Sequence, residues 1–158
     1  LHIKTVGVVG VGTMGQGIAE MLASKGLDVI IIERSDERLA YGKQMIEVSL
    51  DKQIEKWALT KSEKKLIMNR IEPTTSYEKL AGCELVIETI TEDLELKKAV
   101  FEEIDNICGP EVILASNTST LSLTELASVT KHPERVIGMH FIYPVFKIDL
   151  VEIVRGLK

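Results

Sequence analysis

Gly10-Val11-Gly12-Thr13-Met14-Gly15 sets glycine at the first, third and sixth places of a six-residue segment, and Glu33 follows Gly10 by 23 residues. In a phosphate-binding turn such glycines have separate tasks. The first permits a tight turn, the second leaves backbone uncovered where a pyrophosphate approaches, and the third lets the next helix pack on the preceding strand. Val11, Thr13 and Met14 would add backbone N–H groups at a helix start, where partial positive charge favours an anion. A carboxylate ending the second strand would accept hydrogen bonds from ribose hydroxyls and repel a 2′-phosphate. Gly10, Val11, Gly12, Thr13, Met14, Gly15 and Glu33 therefore predict a site for NAD, and Arg34 is the neighbour able to serve a 2′-phosphate instead. Ordinary turns also contain glycines at this density, so the prediction depends on the flanking elements.

Those elements can be read in order. Residues 3–9 are rich in β-branched side chains and run into the glycines, which predicts a strand. Residues 14–25 change to helical spacing, with Met14, Ile18, Met21 and Leu22 on one face and Gly26 as a left-handed stop. Residues 28–33 form a second strand that is apolar on both faces. A long helix is predicted from a cap at Ser35 or Asp36 to about Trp57, its apolar side made by Leu39, Met45, Ile46, Leu50, Ile54 and Trp57. Further helices are predicted over 62–69, 94–107 and 123–129, and further strands over 84–90, 112–115, 136–141 and 150–154. Strands without strict alternation, separated by helices, imply a mostly parallel sheet covered on both faces. The expected fold is doubly wound α/β of the Rossmann type.

Composition narrows the partners. A chain of 158 residues with 45% hydrophobic side chains supports one core. Its net charge of −5, with Lys and Arg dispersed among Asp and Glu, argues against a nucleic-acid binder. Cys83 and Cys108, 25 positions apart with no histidine nearby, match neither a metal site nor a redox motif. They read as thiols in a reducing compartment. No apolar run approaches the roughly 18–20 residues needed to span a bilayer. The expectation is a cytoplasmic protein without metal, membrane or nucleic-acid partners.

Three segments of the second half add a specific resemblance. Ser116-Asn117-Thr118-Ser119-Thr120, His140-Phe141-Ile142-Tyr143-Pro144-Val145 and Leu150-Val151-Glu152-Ile153 resemble the SNTSS, HFFNPV and LVEV segments of the L-3-hydroxyacyl-CoA dehydrogenase family. The run from Glu88 through Thr89, Glu92 and Leu94 to Lys97 is similar to another of its segments, and the similarity extends over residues 3–154. The resemblance implies NAD-dependent oxidation of an L-3-hydroxyacyl-CoA, with His140 as base and Glu152 as its carboxylate partner. Imidazole titrates near neutrality, which suits removal of an alcohol proton. The 12-residue separation of the pair requires two different elements to bring them together. Ser119 is implied in contacts with both cofactor and substrate, Glu92 and Lys97 in cofactor contacts, and Ser49 and Lys56 in contacts with coenzyme A. Taken as residues alone, His140 reads as a structural histidine, Ser119 as a turn or cap hydroxyl that Ser122 could replace, and Glu92 and Lys97 as a solvated helix start. Ser49 and Lys56, seven residues apart, fall on one helical face.

Tyr143 stands where the family commonly has Asn, and Phe146 and Asp149 depart from its usual Pro and Lys. The resemblance also implies a helical domain beyond this chain that carries the homodimer contact and completes the catalytic site, so the chain alone is expected to bind NAD without turnover. Two other readings remain open on the residues: a dehydrogenase of a free hydroxy acid or sugar acid, and an NAD-binding module without catalysis.

Overall fold

β-branched runs with both faces apolar become the interior strands of one sheet. The computed structural model describes residues 2–157. In β1 (Thr5–Val9) and β2 (Asp28–Ile32) successive side chains alternate between two apolar layers. Val6, Val8, Val29 and Ile31 enter one, while Val9, Ile30 and Ile32 enter the other. The first layer is closed by α1 (Thr13–Ser24), α2 (Asp36–Glu55) and α3 (Lys61–Asn69), through Ile18, Leu22, Leu39, Ile46, Leu50 and Ile67. The second is closed by α4 (Leu94–Ile107) and α5 (Leu123–Ala127), through Val100, Phe101, Ile104 and Leu126.

Among the described residues the sheet has seven strands in the order β3-β2-β1-β4-β5-β6-β7, where β3 is Ile71–Thr74, β4 Leu85–Glu88, β5 Ile113–Ser116, β6 Val136–Phe141 and β7 Val151–Arg155. All neighbours are parallel except β6 and β7. From β1 the chain leaves to one side for β2 and β3, then returns to the other side for β4. The resulting crevice at the carboxyl ends of β1 and β4 is where doubly wound sheets bind ligands. The expected fold class is thus present. Among the described residues no helix is long and apolar enough to cross a membrane.

Helix starts follow their capping residues. Ser35 Oγ accepts from the Arg38 N–H at 3.3 Å and opens α2. Thr60 and Glu63 form a reciprocal capping box, so α3 starts just ahead of the predicted residue 62. Three departures have physical causes. The strand β3 contains Pro73, which cannot donate to a ladder; it is tolerated because β3 is an edge. Trp57 does not join the apolar side of α2. It lies past the helix end at φ +58° and is 96% exposed, a left-handed conformation that costs an L-residue about 1–2 kcal/mol. The strand β7 reads apolar, yet every residue in it is exposed.

Asp105 on α4 ties the sheet's far side together. Its Oδ1 accepts from the Arg135 guanidinium at 2.5 Å and its Oδ2 from the Lys131 N–H at 3.0 Å. Burial alone would push this carboxyl up, but the Lys131 N–H and Arg135 outweigh it and hold it below the ordinary carboxylate value. A depressed folded pKa contributes stability above the unfolded value, about 3.9, and that stability is lost as pH falls through the folded value. Asp105→Asn is therefore expected to destabilise the chain by about 3–5 kcal/mol at neutral pH. Urea unfolding at neutral pH and near pH 3 checks this: the gap between the two proteins should narrow in acid.

Candidate active site

The loop after β1 is shaped by contacts that exclude side chains at two of its glycines. Gly10 has φ +96°, and its N–H donates to Ile32 O at 2.8 Å. A Cβ on Gly15 would lie 1.9 Å from Gly10 O, so the first turn of α1 can sit this close only with glycine there. Gly12 differs: nothing lies within 4 Å of a Cβ built on it. It is the N-cap of α1 and supplies no side-chain cap. The helix start therefore presents its N–H groups to open space, as an anion requires. Thr89, at the end of β4, donates through Oγ1 to Gly10 O at 2.8 Å and fixes the loop from the other side of the crevice.

Glu33 stands just past β2 with its carboxylate already oriented. Oε2 accepts from the Val11 N–H at 3.3 Å and Oε1 from the Arg34 N–H at 2.9 Å, while Arg38 Nε lies 3.5 Å from Oε1. Glu33, Arg34, Gly10, Gly12, Tyr77 and Ile90 are among the walls of a cavity of about 170 Å³ beside the glycine loop. An uncovered helix start bordered by a fixed carboxylate accommodates the pyrophosphate and ribose of a dinucleotide. Val11, Thr13 and Met14 follow the same turn, with Thr13 exposed and Val11 buried.

His140 and Glu152 face each other on one rung of the antiparallel β6–β7 ladder, and Nδ1 lies 2.8 Å from Oε2. The two elements that the 12-residue separation demanded are these neighbouring strands. With Nδ1 engaged by a carboxylate, Nε2 is the nitrogen left to exchange a proton. Asn117, one residue past β5, steadies the histidine strand: its Oδ1 accepts from the Phe141 N–H at 3.0 Å, beyond the last β5–β6 rung at Ser116 and Gly138.

Between the glycine loop and this pair lies a buried polar cluster. Lys97 is 1% exposed, so it is not part of a solvated helix start. Its Nζ donates to Glu88 Oε1 at 2.6 Å and to Ile90 O at 3.2 Å, and lies 3.6 Å from Glu92 Oε2. Ser116 Oγ donates to Glu88 Oε2 at 2.7 Å. Glu92 is partly exposed and accepts from Thr118 Oγ1, whose oxygen also receives the Leu121 N–H at 3.0 Å. Ser119 is exposed on the same loop, and Ser122 supplies the cap of α5, so Ser119 is not that cap. The sequence alone assigns no role to Thr89, Asn117, Ser116 and Thr118. The available signal was position, because all follow or end a strand on the carboxyl edge of the sheet.

Ser49 and Lys56 border one cavity of about 1090 Å³ between α1, α2 and the segment after β6, together with Thr13, Lys52, Tyr143 and Phe146. Glu20 is buried in its wall, and burial raises its carboxyl against the lowering effect of hydrogen bonds from Ser49 and Gln53. The cavity thus joins the glycine loop to a cationic helix end.

The fold and the crevice define a dinucleotide-binding domain of the doubly wound class, with an imidazole–carboxylate pair beside its cofactor loop. The 3-hydroxyacyl-CoA dehydrogenase NAD-binding-domain model matches residues 5–158, and the chain belongs to that family. It is 43% identical over 155 residues to a 3-hydroxybutyryl-CoA dehydrogenase of Bradyrhizobium diazoefficiens, covering 98% of this chain and 53% of the relative. With a probable 3-hydroxybutyryl-CoA dehydrogenase of Bacillus subtilis the identity is 41%, covering 99% and 55%. The crystal structure of (S)-3-hydroxybutyryl-CoA dehydrogenase from Ralstonia eutropha superposes with a TM-score of 0.96 at 46% identity, again over 99% of this chain and 55% of that one. The chain spans about half the length of these relatives.

The Asn117 contact has a measurable consequence. Asn117→Ala leaves the Phe141 N–H without its acceptor, at a cost of about 1–3 kcal/mol, whereas Asn117→Asp keeps an acceptor and should lose less. Urea unfolding of both variants gives the comparison. In NMR spectra the His140 ring signals are expected to move in Asn117→Ala while those of His2 and His132 stay in place.

Proposed function

We propose that this chain is the cofactor-binding part of an NAD-dependent L-3-hydroxyacyl-CoA dehydrogenase, which oxidises the 3-hydroxyl to a 3-ketone. The observation that carries the reading is the 2.8 Å His140–Glu152 contact on a strand rung flanking the dinucleotide crevice. Bound NAD supplies the acceptor for the hydride. His140 removes the hydroxyl proton at Nε2, and Glu152 holds the ring through Nδ1 and stabilises the imidazolium that forms. Ser119, exposed on the loop between crevice and pair, is suited to hydrogen-bond the substrate oxygen. Gly10, Val11, Gly12, Thr13, Met14 and Gly15 hold the pyrophosphate, and Glu33 holds the adenosine ribose. Glu92 and Lys97, 3.6 Å apart, would make the further cofactor contacts.

Ser49 and Lys56 support coenzyme A over a free hydroxy acid, since both border the large cavity and Lys56 offers a cation to a phosphate. The names of the relatives, which include subunits of fatty acid oxidation complexes, support acyl-CoA chemistry as well. We place the enzyme in the cytoplasm as a homodimer, completed by a helical domain in the half of its relatives' length that this chain does not span.

Three measurements test the reading. Titration of the chain is expected to give tighter binding of NAD than of NADP, and Glu33→Ala should narrow the difference; preferential NADP binding would move the assignment to Arg34. In the complete enzyme, Glu152→Gln is expected to lower kcat with little change in NAD affinity, because the charge supporting imidazolium is lost while the glycine loop is untouched. Unchanged turnover would leave Glu152 a strand residue only. Lys56→Glu should raise KM several-fold for an acyl-CoA, less at high salt, and leave a thioester without the nucleotide unaffected, as an exposed ion pair worth about 0.2–1 kcal/mol implies. Equal KM losses on both substrates would point to a folding defect in the long helix, and no loss on either would favour the free-acid reading.

A further inference from the structure

The end of α2 carries an indole that folding does not explain. The helix closes in a Schellman turn, with the Trp57 N–H donating to Ile54 O at 3.0 Å and the Ala58 N–H to Gln53 O at 2.9 Å. The residue in the middle of such a turn takes a left-handed backbone and is ordinarily glycine. Here it is Trp57, at φ +58°. Its side chain recovers nothing by packing, since it is 96% exposed. The strained backbone opposes the folded state and the hydrated indole contributes nothing to offset it, and residues kept in such conformations gather at functional sites.

The position suggests what the indole meets. Lys56 and Ala58, its neighbours on either side, are walls of the large cavity, and Lys52 lines the same wall one turn earlier in α2. The rim thus combines two ammonium groups with a free aromatic face. A ligand that satisfies both carries phosphates next to a planar heterocycle. The adenosine of NAD belongs to the Glu33 side of the glycine loop, leaving this rim for a second nucleotide. We propose that Trp57 is a stacking platform for the adenine of an acyl-CoA, with Lys52 and Lys56 meeting its phosphates. This inference rests on the coenzyme A reading above and adds a nucleobase subsite to it. Indole faces stack on bases irrespective of hydrogen-bond pattern, so the subsite would strengthen coenzyme A binding without affecting acyl selection.

Trp57 is the only tryptophan of the chain, so intrinsic fluorescence reports on it alone. Coenzyme A is expected to quench that emission, whereas pantetheine, which lacks the nucleotide, and NAD⁺, seated at the glycine loop, should leave it unchanged. Trp57→Gly removes the strain and the platform together. It should raise the melting temperature and weaken coenzyme A about fivefold by calorimetry, the lower end for loss of one base stack, while NAD⁺ affinity stays the same. Trp57→Phe should retain most of the coenzyme A affinity. A structural role for the indole predicts the opposite sign of the stability change. If calorimetry shows coenzyme A binding equally to the parent and Trp57→Gly, with no quenching, the subsite is wrong and the coenzyme A reading stands. If coenzyme A does not bind the parent chain at all, that reading fails and the subsite fails with it.

Discussion

The contact between the start of α1 and the end of β1 is the constraint on which the remaining geometry depends. A Cβ at Gly15 would meet the Gly10 carbonyl at 1.9 Å, so the helix approaches the strand at a distance only glycine allows. That approach aims the α1 N-terminus across the crevice and brings Val11 against Gly42 of α2, where a Cβ would lie 2.3 Å from Val11 Cγ1. It also sets the large cavity, whose walls include Thr13 of α1 and Ser49 of α2. One close backbone contact thus orients both the anion-binding helix and the helix lining the second pocket. Bulk at either glycine would separate layers that the apolar core otherwise holds together.

Much of this was legible because the relevant forces are local. β-branched runs, a glycine turn and capping serines specify strands and helix starts through short-range sterics and hydrogen bonds, and their order implies the doubly wound topology. What could not be read depends on tertiary context. Pro73 obscured β3, since only its place at the sheet edge makes a missing donor harmless. Trp57 continued the apolar periodicity of α2 by one more position, but the helix had already ended in a turn whose geometry overrides side-chain type. The burial of Lys97 depended on a partner nine residues upstream, on a different element. Charge patterns along a chain indicate solvation by default, and an ion pair closed by β4 against α4 gives no periodic signal. The Asn117 clamp is similar: a side chain replacing a ladder bond is visible only once β5 and β6 are side by side.

The polar interior between β4 and α4 is arranged with few loose ends. Glu88 receives Lys97, Ser116 and the Ile90 N–H, so its oxygens are engaged by several donors. Removing Lys97 would leave the Glu88 charge unpaired in a low-dielectric setting, which costs more than the intact pair contributes. Such a cluster is a weak source of stability and a strong source of uniqueness. It holds the loop bearing Glu92 and the loop bearing Ser119 in one relative arrangement, through Thr118.

The strand β7 gives this rigid body an exception. Among the described residues it pairs only with β6, all of its own residues are exposed, and it supplies Glu152. Hydrogen-exchange protection in a sheet falls toward such margins, where opening requires little apolar surface to be lost. His140 therefore stands on a strand that also pairs with β5, whereas its carboxylate stands on the marginal strand. The fraction of molecules with the pair assembled then follows the opening equilibrium of a single strand. Any surface that binds the closed strand in preference to the open one raises that fraction by linkage, and so governs from a distance how often the imidazole is held by its carboxylate.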